Sequence, residues 1–275
     1  MPTLAPKYPN RSSEAADRGT MAHECLELCL TNNYNAEKHL GGKWQNEDGK
    51  TYTMEQEDCD AVQEALGFIR SEIEEGDEWE TETKLKYNDD LWGTCDFSRY
   101  RPSDGELLVV DYKHGSGIPV EAYQNPQGGI YALMKAKSLG NRGLSSIRFV
   151  IVQPRCPHSA GPIREYVIDA VDFLDFESDI VDAMKTIETA ARHSTFDQVP
   201  EHDWNETYLV RGDHCRWCPA NFAGGCPFVQ RDLDRAAELD FSTDTVSYDP
   251  KDVADALAVC DRAEAAIKAT RAFAY

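Results

Sequence analysis

With 275 residues, 41% of them hydrophobic and 10% aromatic, the chain can bury a substantial core, which excludes a disordered polymer and a small disulfide scaffold. No apolar run approaches the roughly 20 residues of a membrane span, and residues 1–10 lack the apolar stretch of a secretory signal, so the chain reads as soluble, intracellular and cytoplasmic. Asp and Glu outnumber Lys and Arg 49 to 28, a net charge of −21 that on its face argues against a nucleic-acid partner.

That objection weakens once the charge is located. Between Lys84 and Arg164 there are 11 Lys/Arg against 7 Asp/Glu, so an acidic chain surrounds a mildly basic middle. The acidic flanks read as solvated helix faces, or as repulsion that keeps polyanions off all but one groove.

Residues 1–11 form a loose lead-in. A helix is predicted from about Ser13 to Leu30, where Met21, Cys25, Leu26 and Cys29 or Leu30 recur at helical spacing. The polar stretch 31–50, with Gly41-Gly42, reads as a loop, and Thr53 with Gln56 has capping-box form opening a helix to about Glu74. Three β-prone segments follow, 80–87, 91–100 and 106–112, the last two separated by the turn residues Pro102-Ser103-Asp104-Gly105. Asn125-Pro126 supplies an N-cap and a first-turn proline for the next helix. Strands are predicted at 147–153 and 164–168, then helices at about 171–193 and 250–273 on either side of a cysteine-bearing loop. The predicted fold class is α/β, with a core over 12–170 and a helical, cysteine-bearing extension over 171–275 in the same globular unit. The last helix reaches Tyr275 without a C-cap signal, which suggests a fragment of a longer relative or a short one.

If the turn is a four-residue loop, Arg101 pairs with Glu106 and opposed residue numbers sum to 207, so Asp96 faces Asp111. Directly opposed carboxylates on one face of an antiparallel pair repel and call for a cation. Lys113, two residues past Asp111, shares its face and could orient or deprotonate an attacking water. Two carboxylates with a lysine suit Mg²⁺ (or Mn²⁺) beside a phosphate. The alternative is an exposed Asp96 in an ion pair with Lys113.

Gly93-Thr94-Cys95-Asp96, Val110-Asp111-Tyr112-Lys113, and then Gln127 and Tyr131 on a following helix resemble the G-x-x-D, D-x-K and Q-x-x-x-Y motifs of the PD-(D/E)XK nuclease superfamily. The likeness is to its RecB-like branch, and within it to phage-encoded exonucleases. It covers roughly residues 12–230. The resemblance implies a restriction-endonuclease-like core (α-β-β-β-α-β, mixed central sheet) with added N- and C-terminal helices. It also implies a metal held by His23, Asp96, Asp111 and the backbone carbonyl of Tyr112. Lys113 would then act on the water, with Gln127 and Tyr131 on DNA phosphate or the water shell. Packed helix residues are the alternative for His23, and an amide and a ring at a helix-sheet seam for Gln127 and Tyr131. The implied partners are DNA and a phage single-strand annealing protein, with a homo-oligomer closing around DNA as a further option of this branch. The competing reading is a non-catalytic, cluster-stabilised DNA-binding or assembly component that keeps only the fold.

The nine cysteines are odd in number, and three of them, Cys215, Cys218 and Cys226, crowd beside His214, which favours a metal over a disulfide framework. In part of this branch three such cysteines join one near the N-terminus around a [4Fe-4S] cluster. Here no cysteine precedes Cys25, so either the chain starts too late to include that ligand, or His214, Cys25 or Cys29 completes an iron-sulfur or Zn²⁺ site. Cys59, Cys95, Cys156 and Cys260 read as buried small hydrophobes.

Overall fold

The computed structural model describes residues 13–140, 142–195 and 201–212 and, beyond them, 215, 218–222, 225–229, 231, 234, 257, 260, 264 and 267. The chain divides into a unit spanning Ser12–Asp182 and a second containing Ala183–Tyr275 with Met1–Arg11. Each is described by itself. The expected lead-in and most of the helix expected at 250–273 lie outside the described residues.

In the first unit, α1 (Glu14–Asn32) starts where the Ser13 hydroxyl accepts the Ala16 N–H, and stops at Asn33, whose φ of 55° is left-handed. The stretch expected to be a loop instead contains a short 3-10 helix (Ala36–His39) and a two-stranded hairpin, β1 (Lys43–Gln45) with β2 (Thr51–Thr53). Three-residue strands carry too little alternation to be visible as a pattern. Helix α2 (Gln56–Ser71) also departs from expectation: its N-cap is Glu55, and the capping box is closed by Asp58 rather than by Thr53 and Gln56. Asp58 reaches back to the Glu55 N–H at 3.0 Å.

The predicted meander is present as β3 (Glu78–Lys86), β4 (Trp92–Arg101) and β5 (Glu106–Tyr112). Helix α3 (Pro126–Leu139) starts at the Asn125 cap and crosses to β6 (Ser146–Val152), parallel to β5, with β7 (Ile163–Asp169) antiparallel beyond it. The sheet order β3-β4-β5-β6-β7 is mixed, which together with its helices is the restriction-endonuclease-like α/β core. Helix α4 (Phe173–Thr195) follows.

Alternation along the strands produces two cores. Phe97, Leu108, Val110, Tyr112, Val150 and Val152 pack against α1 and α2. Leu107, Val109, Ile147, Phe149 and Ile151 pack under α3 and the start of α4. Close packing under α3 depends on glycine: a Cβ on Gly128 would fall 2.3 Å from the Phe149 ring.

The basic middle is paired internally. Arg99 bonds to Glu106, Arg101 to Asp77, Arg142 to Glu78, Arg148 to Glu72 and Glu165, and Arg155 to Glu57. The local surplus of cations read from the sequence is therefore largely matched by acids from neighbouring elements.

In the second unit, α5 (Glu201–Tyr208) places the Trp204 indole N–H 2.8 Å from the Ala190 carbonyl and the Tyr208 hydroxyl 2.7 Å from His193 Nδ1. A single helical turn, α6 (Pro219–Phe222), lies among the C-terminal cysteines.

Candidate metal and active site

The β4–β5 register has the expected sum, Arg101 opposite Glu106 through to Phe97 opposite Val110, but the ladder ends there, one pair short of Asp96 and Asp111. The β3–β4 ladder is interrupted at the same place. Thr81 pairs with Phe97 and Thr83 with Cys95, so Glu82 and Asp96 are the pair left out. Glu82 has a φ of 46°, a left-handed conformation that costs a non-glycine residue about 1–2 kcal/mol. Phe97 lies in the core against α1 and α2 while Cys95 lies in the core under α3, so the alternation of β4 slips between them. Backbone strain at a break in a sheet is a common accompaniment of a functional site.

The break collects ionisable groups. His23 Nδ1, from α1, is 3.4 Å from Glu82 and 3.5 Å from Asp96 Oδ1. The other Asp96 oxygen accepts the Tyr112 backbone N–H at 2.7 Å. Lys113 Nζ is hydrogen-bonded to Asp111 Oδ1 at 3.1 Å and to Gln127 Oε1 at 2.9 Å, and Gln127 donates to the Tyr131 hydroxyl at 3.4 Å. Lys113 also lies 2.8 Å from Asp111 Oδ2, an ion-pair distance, yet that buried oxygen accepts no properly oriented hydrogen bond. Gly93 makes room here, since a Cβ on it would sit 3.0 Å from the Tyr131 ring. Asp96, Asp111, Lys113, Gln127, Tyr131 and His23 are thus drawn into one connected set.

The electrostatics follow from burial and crowding. Desolvation pushes the Asp96 carboxyl up to about 7, with Asp111 and Glu82 adding to the rise and His23 and the Tyr112 N–H opposing it. Desolvation likewise raises Asp111, against the pull of Lys113 and His23. At His23 burial disfavours the imidazolium, but the Glu82 hydrogen bond and the charges of Asp96, Glu82 and Asp111 outweigh it and raise the pKa. Carboxylates that resist ionisation in this way gain most from a cation. The ligand atoms of His23, Glu82 and Asp96 lie within 4.8 Å of one another, a cluster suited to a metal ion. Asp111 stands outside this close set, although its buried Oδ2 is unsatisfied; two carboxylates with an imidazole, as in the cluster, are donors that a hard divalent cation accepts.

Glu82 was not singled out in the sequence. Its signal was faint: Asp96 is opposed on one side by β5 and on the other by β3, and only the second register identifies Glu82 as its neighbour. The buried pair Asp58 and His114, with the half-buried Arg18 and Arg155 around it, was missed as well. His114, 3% exposed, bonds Asp58 at 2.9 Å and the Tyr112 hydroxyl at 2.8 Å, while Arg18 bonds Asp58 at 2.7 Å. His114 therefore belongs to a buried network that braces Tyr112 from behind.

A family model described as a protein of unknown function, DUF2800, matches residues 1–274. The chain belongs to the DUF2800 family. This DUF2800 chain combines a nuclease-like α/β core with a cluster of His, Glu and Asp side chains, at the break in its sheet, that could hold a metal ion.

The C-terminal cysteines are arranged differently. Cys215 and Cys218 are half-buried and Cys226 is buried; the Cys218 N–H donates to the Cys215 carbonyl at 3.2 Å, and the Asn221 side chain to the same carbonyl at 3.1 Å. Among the described residues the close ligand clusters are His23, Glu82, Asp96 and Cys25, Cys29, His39, neither of which includes these three thiols. His214 lies outside the described residues. No helix among the described residues is long and apolar enough to cross a membrane.

Proposed function

We propose that this chain is a Mg²⁺- or Mn²⁺-dependent deoxyribonuclease of the PD-(D/E)XK superfamily, in its RecB-like branch, acting as an exonuclease in phage DNA replication or recombination. The observation that supports this reading is the continuous contact from His23 through Asp96 and Tyr112, and from Asp111 through Lys113 to Gln127 and Tyr131. His23, Asp96, Asp111 and the Tyr112 carbonyl would hold the cation, and Glu82 joins them as a candidate. When bound there, such a cation would supply charge neutralisation at the scissile phosphate and a lowered pKa for its water.

The protein's own groups do the rest. Lys113, fixed between Asp111 and Gln127, holds the attacking water in line with phosphorus and assists loss of its proton. Attack would form a bond from the water oxygen to phosphorus and break the bond to the leaving sugar oxygen, the water's proton passing to solvent and the leaving oxygen taking up a proton from solvent. Gln127 and Tyr131, one turn apart on α3, offer an amide and a hydroxyl to the phosphate. A phage single-strand annealing protein as partner, assembly around DNA, and a cytoplasmic location belong to the same proposal. So does a [4Fe-4S] cluster, or a Zn²⁺ ion, at Cys215, Cys218 and Cys226, checked by iron, sulfide and zinc analysis of anaerobically purified protein.

The deciding experiment is Mg²⁺-dependent release of nucleotides from linear DNA, with Asp111→Asn assayed alongside. Release by the native chain and loss in the variant is the expected result. DNA binding without release in either protein would instead favour a non-catalytic DNA-binding component.

A further inference from the structure

Cys25 and Cys29 stand one turn apart on the buried face of α1, 3% and 0% exposed. His39 ends the 3-10 helix that follows, and the ligand atoms of the three residues lie within 4.8 Å of one another. Cys59 of α2, 1% exposed, shares the core cluster of these two thiols. His39 Nε2 is shut off from water and has no hydrogen-bond partner. Thiols alone are content as small buried hydrophobes, but a buried ring nitrogen without a partner loses its hydration and gains nothing in return.

The segment carrying His39 is held firmly. The Ala36 N–H donates to Gln63 at 3.0 Å, and Arg70 donates to the Tyr34 carbonyl at 2.7 Å and the Cys29 carbonyl at 3.2 Å. Just beyond, the Gly42 N–H bonds the His39 carbonyl at 2.9 Å, and a Cβ on Gly42 would approach that oxygen to 2.8 Å. An imidazole is thus fixed beside two thiols by contacts from α1, α2 and its own loop.

We propose that Cys25, Cys29 and His39 hold a structural Zn²⁺ ion, with Cys59 the next thiol of the same core. Two thiolates and an imidazole are the donors this borderline-soft ion takes, whereas the carboxylates near His23 suit a harder one. Binding releases the two thiol protons to solvent and satisfies His39 Nε2. It also clamps α1 two residues from His23, so the ion fixes the helix that reaches the candidate active site. The site is independent of the proposed nuclease activity and of the C-terminal cysteines.

Cobalt(II) titration of the full chain under anaerobic, phosphine-reduced conditions tests it. The expected result is thiolate-to-cobalt charge transfer with strong tetrahedral d–d bands at about one equivalent, bleached by Zn²⁺. The bands should persist in Cys215→Ser/Cys218→Ser and vanish in Cys29→Ala and in His39→Leu. His39 is only partly buried, so its variant decides the matter even where Cys29→Ala fails to fold. Absence of thiolate charge transfer in the native chain, or bands that survive His39→Leu but vanish with the C-terminal pair, would overturn the proposal.

Discussion

The Asp96 carboxylate accepts the Tyr112 backbone N–H at 2.7 Å just past the point where the β4–β5 ladder ends at Phe97 and Val110. A side chain replaces the backbone pairing there, so one oxygen of Asp96 ties the two strands while the other lies toward His23.

Asp96→Asn keeps an oxygen for the Tyr112 N–H but removes a buried charge crowded by Asp111 and Glu82. Metal-dependent cleavage should be lost while the metal-free protein gains about 1 kcal/mol or more, roughly 2–4 °C at this size. Thermal unfolding in chelator and a nuclease assay read the two effects; a melting temperature that falls instead would show that the charge is stabilised by its surroundings.

The raised carboxyl pKa values give a pH dependence of defined sign. With its folded value above the unfolded one, the contribution of Asp96 to metal-free stability is full below the ordinary 3.8 and is lost as pH rises through the raised value of about 7, and the raised Asp111 acts in the same direction. A cation binds the ionised forms and releases protons, so its affinity runs the other way. Mn²⁺ titrations by calorimetry should therefore tighten by about tenfold or more between about pH 6 and about pH 8. Affinity that is flat across this range would contradict ligation through Asp96 and Asp111.

Lys113→Ala should abolish cleavage while leaving DNA affinity within about tenfold, because the ammonium is fixed to act on water more than on affinity. Binding and single-turnover measurements separate these effects. Equal losses in both, with an unchanged circular dichroism spectrum, would assign Lys113 to phosphate binding.

Glu82 offers a contrast between strain and ligation. Glu82→Gly relieves a φ of 46° but removes the carboxylate, whereas Glu82→Gln keeps the strain. Both should weaken Mn²⁺ binding if the carboxylate is a ligand, and the glycine variant alone should hold or gain up to about 1 kcal/mol in chelator. Unchanged Mn²⁺ affinity in Glu82→Gln would leave Glu82 as a partner of His23 only.

Asp58 binds Arg18 and His114 and closes the α2 capping box. Burial disfavours its charge, but the Glu55 N–H, His114 and Arg18 together lower its pKa. Its stabilising effect is present above the unfolded value of 3.8 and is lost as pH falls through the depressed one. Asp58→Ala should cost about 2–4 kcal/mol at neutral pH, measured by denaturant unfolding, and less in strong acid.

The larger elements were legible because their patterns are long. The turn at Pro102-Ser103-Asp104-Gly105 set the hairpin register down to Phe97 and Val110, and Asn125-Pro126 marked the start of α3. The hairpin of β1 and β2 escaped notice because three residues hold barely one alternation. Glu55 took the N-cap from Thr53 because Asp58, drawn in by Arg18 and His114, closed the box from the other side. The role of Glu82 depends on a local break in alternation, which a regular period conceals.

The parallel pairing of β5 with β6 has a consequence for the order of assembly. Strands β3 to β5 pair through short connections, but β6 reaches β5 only after a crossover that must wind through the whole of α3. Local pairings form ahead of such long-range ones. During refolding the crowded acids of β3 to β5 should therefore come together before β6 docks, leaving an early species with its negative charge gathered on a sheet still open along β5. Pulsed hydrogen exchange should protect amides of β4 before those of β6.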